Sequence, residues 1–215
     1  MAPTFAEEAA LWCQGFKLVA GVDEVGRGPL AGPVAAGAVI LPPRRRFGWL
    51  DYVRDSKELS PATREELAAY IWRDALAVGI GFVAPAIIDE IGIVKATYQA
   101  MMFAITELAR APEYVIIDFL SLPELALPQR GIINGDALSL SIACASIVAK
   151  VSRDRLMMEN DGRYEGYGFA RNKGYSTPEH RAALERLGPC SIHRHSYAPV
   201  REALETGSAA DTSHA

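Results

Sequence analysis

The chain has 215 residues, half of them hydrophobic and 22% charged, with a formal net charge of −4. That is enough chain for a real buried core, and the acidic balance excludes a generally basic nucleic-acid coat while leaving room for a local basic groove. The three cysteines, Cys13, Cys144 and Cys190, are far apart and show no C-x-x-C spacing, which argues against zinc and fits reduced thiols in a cytoplasmic protein.

The first 16 residues read as an N-terminal extension with neither the basic start nor the apolar core of a signal peptide, and no later apolar run reaches membrane-spanning length. Lys17 to Asp23 reads as a buried strand and Val34 to Leu41 as a second. The tight glycine- and proline-rich link between them predicts an antiparallel pair. Arg44, Arg45 and Arg46 fall in a loop. Ser60-Pro61 predicts a helix start, with serine as N-cap and proline at the first helical position, and the helix is expected to reach about Ala77.

Gly79 to Ala84 reads as a third strand, Ile93 to Ala109 as a helix, Tyr114 to Asp118 as a fourth strand and Gly131 to Asp136 as a fifth. A long apolar helix is expected from Leu138 to about Met158, another from Thr177-Pro178 to Gly188, and a last one over Val200 to Thr206. The order predicts an α/β fold: a mixed five-stranded sheet flanked by helices, with a helical C-terminal part. One catalytic domain is expected over 17–206, followed by a small, polar, disordered tail over 207–215.

Three acids share a context: Asp23, Asp118 and Asp136 each close an apolar, strand-like run. Ligand sites of open α/β sheets gather at the carboxyl ends of strands, so these acids, with Glu24, are expected to converge as oxygen ligands for Mg²⁺ or Mn²⁺. Any one of them alone would equally suit a helix cap or a salt bridge; the set favours metal. Adjacent strand residues face opposite sides of a sheet, so either a bulge re-aims Asp23 or Glu24, or Glu24 serves from the rim. Asp23 is expected to be the central ligand.

Asp154 lies 18 residues beyond Asp136, roughly 27 Å along an unbroken helix at 1.5 Å per residue, and is expected to pair with neighbouring arginines instead. The turn Gly26-Arg27-Gly28 brings bare backbone N–H groups beside the acids. It lacks the spacing and the following helix of a dinucleotide fingerprint. From Lys150 to Arg201 the chain is locally basic, with Arg153, Arg155, Lys173 and Arg194 among the cations, and nucleic acid is expected there if anywhere. His180, His193 and His195 are expected to pack or to meet phosphate rather than metal, because hard Mg²⁺ prefers oxygen.

The chain resembles bacterial ribonuclease HII, the type 2 ribonuclease H. The resemblance is carried in family order by Gly21-Val22-Asp23-Glu24-Val25-Gly26-Arg27-Gly28, Asp55-Ser56-Lys57, Ile88-Asp89-Glu90-Ile91, Ile116-Ile117-Asp118 and Asn134-Gly135-Asp136. It continues through Ala145-Ser146, Lys150, Arg153-Asp154-Arg155, Asn172-Lys173-Gly174-Tyr175 and His193-Arg194-His195-Ser196-Tyr197.

The resemblance implies a ribonuclease H-like fold and a two-metal endonuclease. Such an enzyme cuts the RNA strand of RNA–DNA hybrids and incises 5′ of single ribonucleotides in duplex DNA, leaving 3′-hydroxyl and 5′-phosphate ends, in ribonucleotide excision repair. It implies Asp23, Glu24, Asp118 and Asp136 as metal ligands. Gly26, Arg27 and Gly28 would read the ribose 2′-hydroxyl and Tyr175 would sense the junction; Lys57, Lys150 and Lys173 are candidate phosphate contacts. Phe119 stands after the third acid where the family usually has glycine, and Asn172 stands where histidine is common.

A type 3 ribonuclease H would carry a further N-terminal domain, for which the 22 residues before Asp23 are too few. Another nuclease of the same fold and a non-catalytic hybrid-binding module are the remaining alternatives. The expected protein is a monomer in the cytoplasm, with no membrane attachment and no protein partner evident.

Overall fold

The computed structural model describes residues 2–43 and 46–211. Its elements, in chain order, are α1 (Ala6–Cys13), β1 (Val19–Val25), β2 (Val34–Ile40), a 3-10 turn (Gly48–Tyr52), α2 (Pro61–Asp74), β3 (Ala77–Val83), α3 (Pro85–Ile91) and α4 (Ile93–Thr106). They continue with β4 (Tyr114–Asp118), β5 (Gln129–Ile132), α5 (Gly135–Leu138), α6 (Leu140–Arg163), α7 (Phe169–Asn172), α8 (Pro178–Leu187) and α9 (Ala198–Asp211).

The five strands form one mixed sheet in the order β3-β2-β1-β4-β5. β1 and β2 are antiparallel, as their short link requires, while β1, β4 and β5 run parallel. The parallel pairing of β1 with β4 stops at Val22↔Ile117, so Asp23 lies just beyond it, and Asp118 is the last residue of β4. α2 starts as its sequence dictates: the Ser60 hydroxyl accepts from the Thr63 N–H at 3.1 Å, with Pro61 behind it.

The residues gather into two compact units. Unit 1 comprises the described residues of 2–25, 35–82 and 97–152; unit 2 comprises 26–34, 83–96 and 153–211. Unit 1 has its core where Val39, Leu41, Leu67 and Ile71 meet Ala143, Ile147 and Val148 of α6, with a second cluster of Leu11, Val19, Ile116, Ile132 and Ile142. A Cβ on Gly21 would lie 2.2 Å from the Ser141 carbonyl carbon, so only glycine lets α6 lie this close to β1. Unit 2 packs Ala31, Met157, Tyr167, Phe169 and Ala183 in one cluster and Leu30, Leu184 and Val200 in another.

Several expectations are corrected. The helix expected to start at Leu138 is interrupted: α5 ends there, Ser139 is extended, and α6 starts at Leu140 and runs to Arg163. Asn134 adopts the left-handed conformation at φ 56°, which ends β5 early and puts Asp136 in the first turn of α5 rather than on a strand. α9 runs to Asp211, past the expected end at Thr206, through a stretch that includes the good helix formers Ala209 and Ala210. Residues 212–215 of the expected tail, and Arg44 and Arg45 of the basic loop, lie outside the described residues. The extension contains a helix, α1, that the sequence pattern did not reveal.

Candidate active site

Asp23 and Glu24 lie on β1 and Asp118 ends β4, while Asp136 lies in the first turn of α5. The β1–β2 register is continuous through Asp23↔Gly37 and Glu24↔Ala36, so no bulge re-aims either acid. Asp23 is 5% exposed while Glu24 is only half-buried, which leaves Glu24 to the rim. Burial, then the neighbouring Glu24 carboxylate, holds the Asp23 carboxyl well above the usual range; Asp118 adds to this. The Ser146 hydroxyl and the Glu24 N–H (2.7 Å) oppose it by donating to the carboxylate.

Asp118 is half-buried, and its Oδ1 accepts from the Gly135 N–H at 2.6 Å, which ties the end of β4 to the start of α5. Its carboxyl is also raised, by burial first and by the Asp136 charge, against the pull of that N–H and of Lys57. Lys57 is exposed on the loop after the 3-10 turn, where its N–H donates to Asp55 Oδ1 at 2.9 Å. Partial burial works against its charge, but Asp55, Asp136, Asp23 and Asp118 outweigh that and hold its ammonium above the usual value. The Lys57 cation thus feels the charges of Asp23 on β1, Asp118 at the end of β4 and Asp136 in the first turn of α5, besides that of Asp55.

Two serines complete this part of the site. Ser56 and Ser146, both buried, share a hydrogen bond at 3.0 Å, so a chain runs from the Lys57 loop through Ser56 and Ser146 to Asp23. The sequence marks neither as a site residue; for Ser146 the only signal is a lone hydroxyl inside the apolar run Ala143–Ala149. Lys150, also on α6, is half-buried.

The donor set fits a hard divalent cation by its chemistry: it is all oxygen, strongly acidic and short of positive charge. Asp23 and Asp118 each accept from a local N–H, and among the described residues no three His, Cys, Asp or Glu side chains form a ready-made metal cage. A pocket of unit 1, about 650 Å³, is lined by Phe5, Trp12, Arg46 and Leu50 among others, and none of the four acids lines it.

In unit 2 the turn Gly26-Arg27-Gly28 is held from behind. Arg194, fully buried, donates to the carbonyls of Gly26 (2.6 Å), Arg27 (2.9 Å) and Gly32 (3.0 Å). Arg153, equally buried, donates to Pro33 O (2.9 Å), Ala31 O (3.1 Å) and Lys173 O (3.0 Å). The expectation that these two arginines belong to a nucleic-acid-facing basic surface is therefore corrected: both are internal clamps. Gly26, at φ 88°, has no room for a Cβ, which would lie 2.2 Å from Arg153 Nε.

Tyr175 is 38% exposed, with the Arg153 guanidinium 5.7 Å from its ring centroid. Lys173 adopts φ 51° and its ammonium turns back to Ala170 O. His180 and His193 are buried and joined Nε2 to Nε2 at 3.1 Å, a packing role. Asp154 acts electrostatically on Arg153.

A family model described as ribonuclease HII matches residues 20–200. The chain belongs to the ribonuclease HII family. It is 50% identical over 203 residues to the ribonuclease HII of Dehalococcoides mccartyi strain 195, covering 94% of this chain and 96% of that protein. It is 54% identical over 197 residues to that of Geobacillus thermodenitrificans, covering 92% and 74%. Among solved structures, the ribonuclease H2 of Pyrococcus horikoshii OT3 matches with a TM-score of 0.75 at 26% identity, over 87% of this chain and 97% of that one. The ribonuclease HII of Archaeoglobus fulgidus, solved in a complex with PCNA, matches with a TM-score of 0.68 at 25% identity, over 86% and 96%.

Proposed function

We propose that this chain is a metal-dependent endoribonuclease that hydrolyses the RNA strand of RNA–DNA hybrids and nicks duplex DNA 5′ of embedded ribonucleotides, leaving 3′-hydroxyl and 5′-phosphate ends. The observation that carries the reading is that the charges of Asp23, Asp118 and Asp136 all act on the Lys57 ammonium in a ribonuclease HII family member. Asp23, Glu24, Asp118 and Asp136 would hold two Mg²⁺ or Mn²⁺ ions. When bound, such ions supply an activated water and neutralise charge building on the phosphate.

The chain's own groups do the rest. Ser146 orients Asp23 by hydrogen bonding to its carboxylate. Lys57 supplies a compact positive charge for the phosphate, and Lys150 and Lys173 are assigned further phosphate contacts. The Gly26-Arg27-Gly28 backbone, with its carbonyls tied to Arg194, presents a stiff surface to the ribose. The 2′-hydroxyl is the group that distinguishes RNA from DNA, so specificity is assigned to this turn and to Tyr175. The same reading has the protein working as a monomer in the cytoplasm; its described cysteines are all free, and no described helix is long and apolar enough to cross a membrane.

The test is a labelled DNA duplex holding one ribonucleotide, beside an all-DNA duplex and a long hybrid, with Mg²⁺ or Mn²⁺. A single nick 5′ of the ribonucleotide and cleavage of the hybrid, both lost with chelator, are expected. Asp23→Asn is expected to cost about 10²- to 10³-fold in turnover, the range seen when one group that stabilises transition-state charge is removed, while still binding duplex. Cutting of the all-DNA duplex would indicate a different nuclease, and duplex binding without cleavage a binding module.

A further inference from the structure

Phe119 breaks two rules at once. It is a bulky residue in the left-handed region, at φ 58°, where such side chains are genuine outliers. It is also a large apolar side chain left 66% exposed. The backbone around it is fixed. The Leu120 N–H donates to Asp118 O at 2.6 Å, closing a three-residue turn centred on Phe119 with the rare, strained hand. The Phe119 N–H donates to Ile132 O at 2.8 Å, locking that turn to β5. Glycine would satisfy the turn without strain, so a solvent-facing aromatic ring there gives the fold nothing.

The neighbourhood is apolar as well. Ile133, just past β5, is 69% exposed, and Leu138 at the end of α5 is 39% exposed. All three lie on the segments that carry Asp118 and Asp136, which are joined by the Gly135 N–H to Asp118 bond. Exposed apolar groups gathered at the rim of a charged site mark a contact surface, and strained residues cluster where a ligand is handled. Phe119 directly follows Asp118, so it stands at the strand end that carries that acid.

We propose that Phe119, supported by Ile133, is a substrate-binding residue whose ring packs against the sugars of the RNA–DNA duplex beside the nucleotide that is cut. The wide, shallow minor groove of an A-like helix displays riboses and 2′-hydroxyls, and the C–H face of a ribose is the surface that an aromatic ring covers. This rests on the reading of the four acids as the cleavage centre.

The experiment measures binding of a short fluorescent RNA–DNA hybrid by anisotropy in chelator, and cleavage of the same hybrid with Mg²⁺. Phe119→Gly suits the φ and is expected to weaken binding roughly tenfold, within the range seen when aromatic contacts to nucleic acid are removed. Phe119→Asn, a residue also enriched at positive φ, provides a second, polar replacement with the same expected loss. Phe119→Tyr and Phe119→Trp are expected to retain binding. Wild-type affinity in both the Gly and Asn variants, or a loss that Tyr and Trp share, would overturn the proposal. Cleavage by the parent protein that is lost in Asp23→Asn upholds the cleavage reading whichever way Phe119 falls; a parent that neither binds nor cuts the hybrid overturns both.

Discussion

At the scale of single residues, Asp23 shows what burial does to a carboxyl with few donors around it. Its carboxyl is buried beside Glu24, and the Ser146 hydroxyl is one of the few groups that favour its charge. Ser146→Ala removes that donor and leaves the buried Ser56 hydroxyl without its partner. The expected cost is about 1–2 kcal/mol of stability, from an unsatisfied buried polar group. The hydrogen bond lowers the Asp23 pKa, so its loss raises it further, and the acid limb of the pH–rate profile is expected to move to higher pH. Urea melts and rate profiles of the variant check both outcomes. Asp23 was legible because a charge closing an apolar run is conspicuous. Ser146 was not, since one small hydroxyl among alanines, isoleucine and valine looks like helix filler.

At the scale of elements, α1 shows why a short helix can matter to a long one. Glu8 is fully buried, and its Oε1 accepts from the Ser139 hydroxyl at 2.7 Å and the Ser141 N–H at 2.8 Å, at the start of α6. A carboxylate at a helix N-terminus satisfies donors that the helix leaves open. Burial nevertheless pushes the Glu8 carboxyl above its usual pKa, and its Oε2 has no partner. Glu8→Ala is therefore expected to cost about 2 kcal/mol by orphaning buried donors, whereas Glu8→Gln, which keeps an acceptor and drops the charge, is expected to be nearly neutral. Thermal melts of the two variants separate these effects. The caps of α2 and α8 were readable from Ser60-Pro61 and Thr177-Pro178, because both partners fall within one turn. Glu8 and Ser141 are 133 residues apart, and no local pattern joins them.

At the scale of the whole molecule, acid should weaken the protein through unit 2. Burial, together with the His180 charge, depresses His193 to about 4, and burial also lowers His180. A histidine whose folded pKa lies below its unfolded value near 6.5 binds its proton more readily when unfolded, so stability is full at neutral pH and falls as pH drops. For His193 the loss is expected to begin near pH 6.5 and to be complete by about pH 4, amounting to about 3 kcal/mol. Asp23 works the other way, since its raised pKa returns stability on protonation, so the acid loss should be steeper in Asp23→Asn. Denaturant melts at pH 7, 5 and 4 test this.

The mixed sheet, the capped starts of α2 and α8, and Asp23 and Asp118 in their apolar strands were readable within the chain, because two-residue alternation, helix caps and charges closing apolar runs act within a few positions of each other. The family was readable too. What the charges and polar groups face became visible in the folded packing alone. Arg194 reads as a surface cation until its guanidinium meets the carbonyl of Gly26, 168 residues away, and Arg153 until it meets Pro33, 120 residues away. Phe119 stands out in the sequence only as a replacement for the family's usual glycine, and its φ of 58° shows what that replacement costs the backbone. Buried partners and backbone strain are properties of packing, and packing joins residues that the chain keeps far apart.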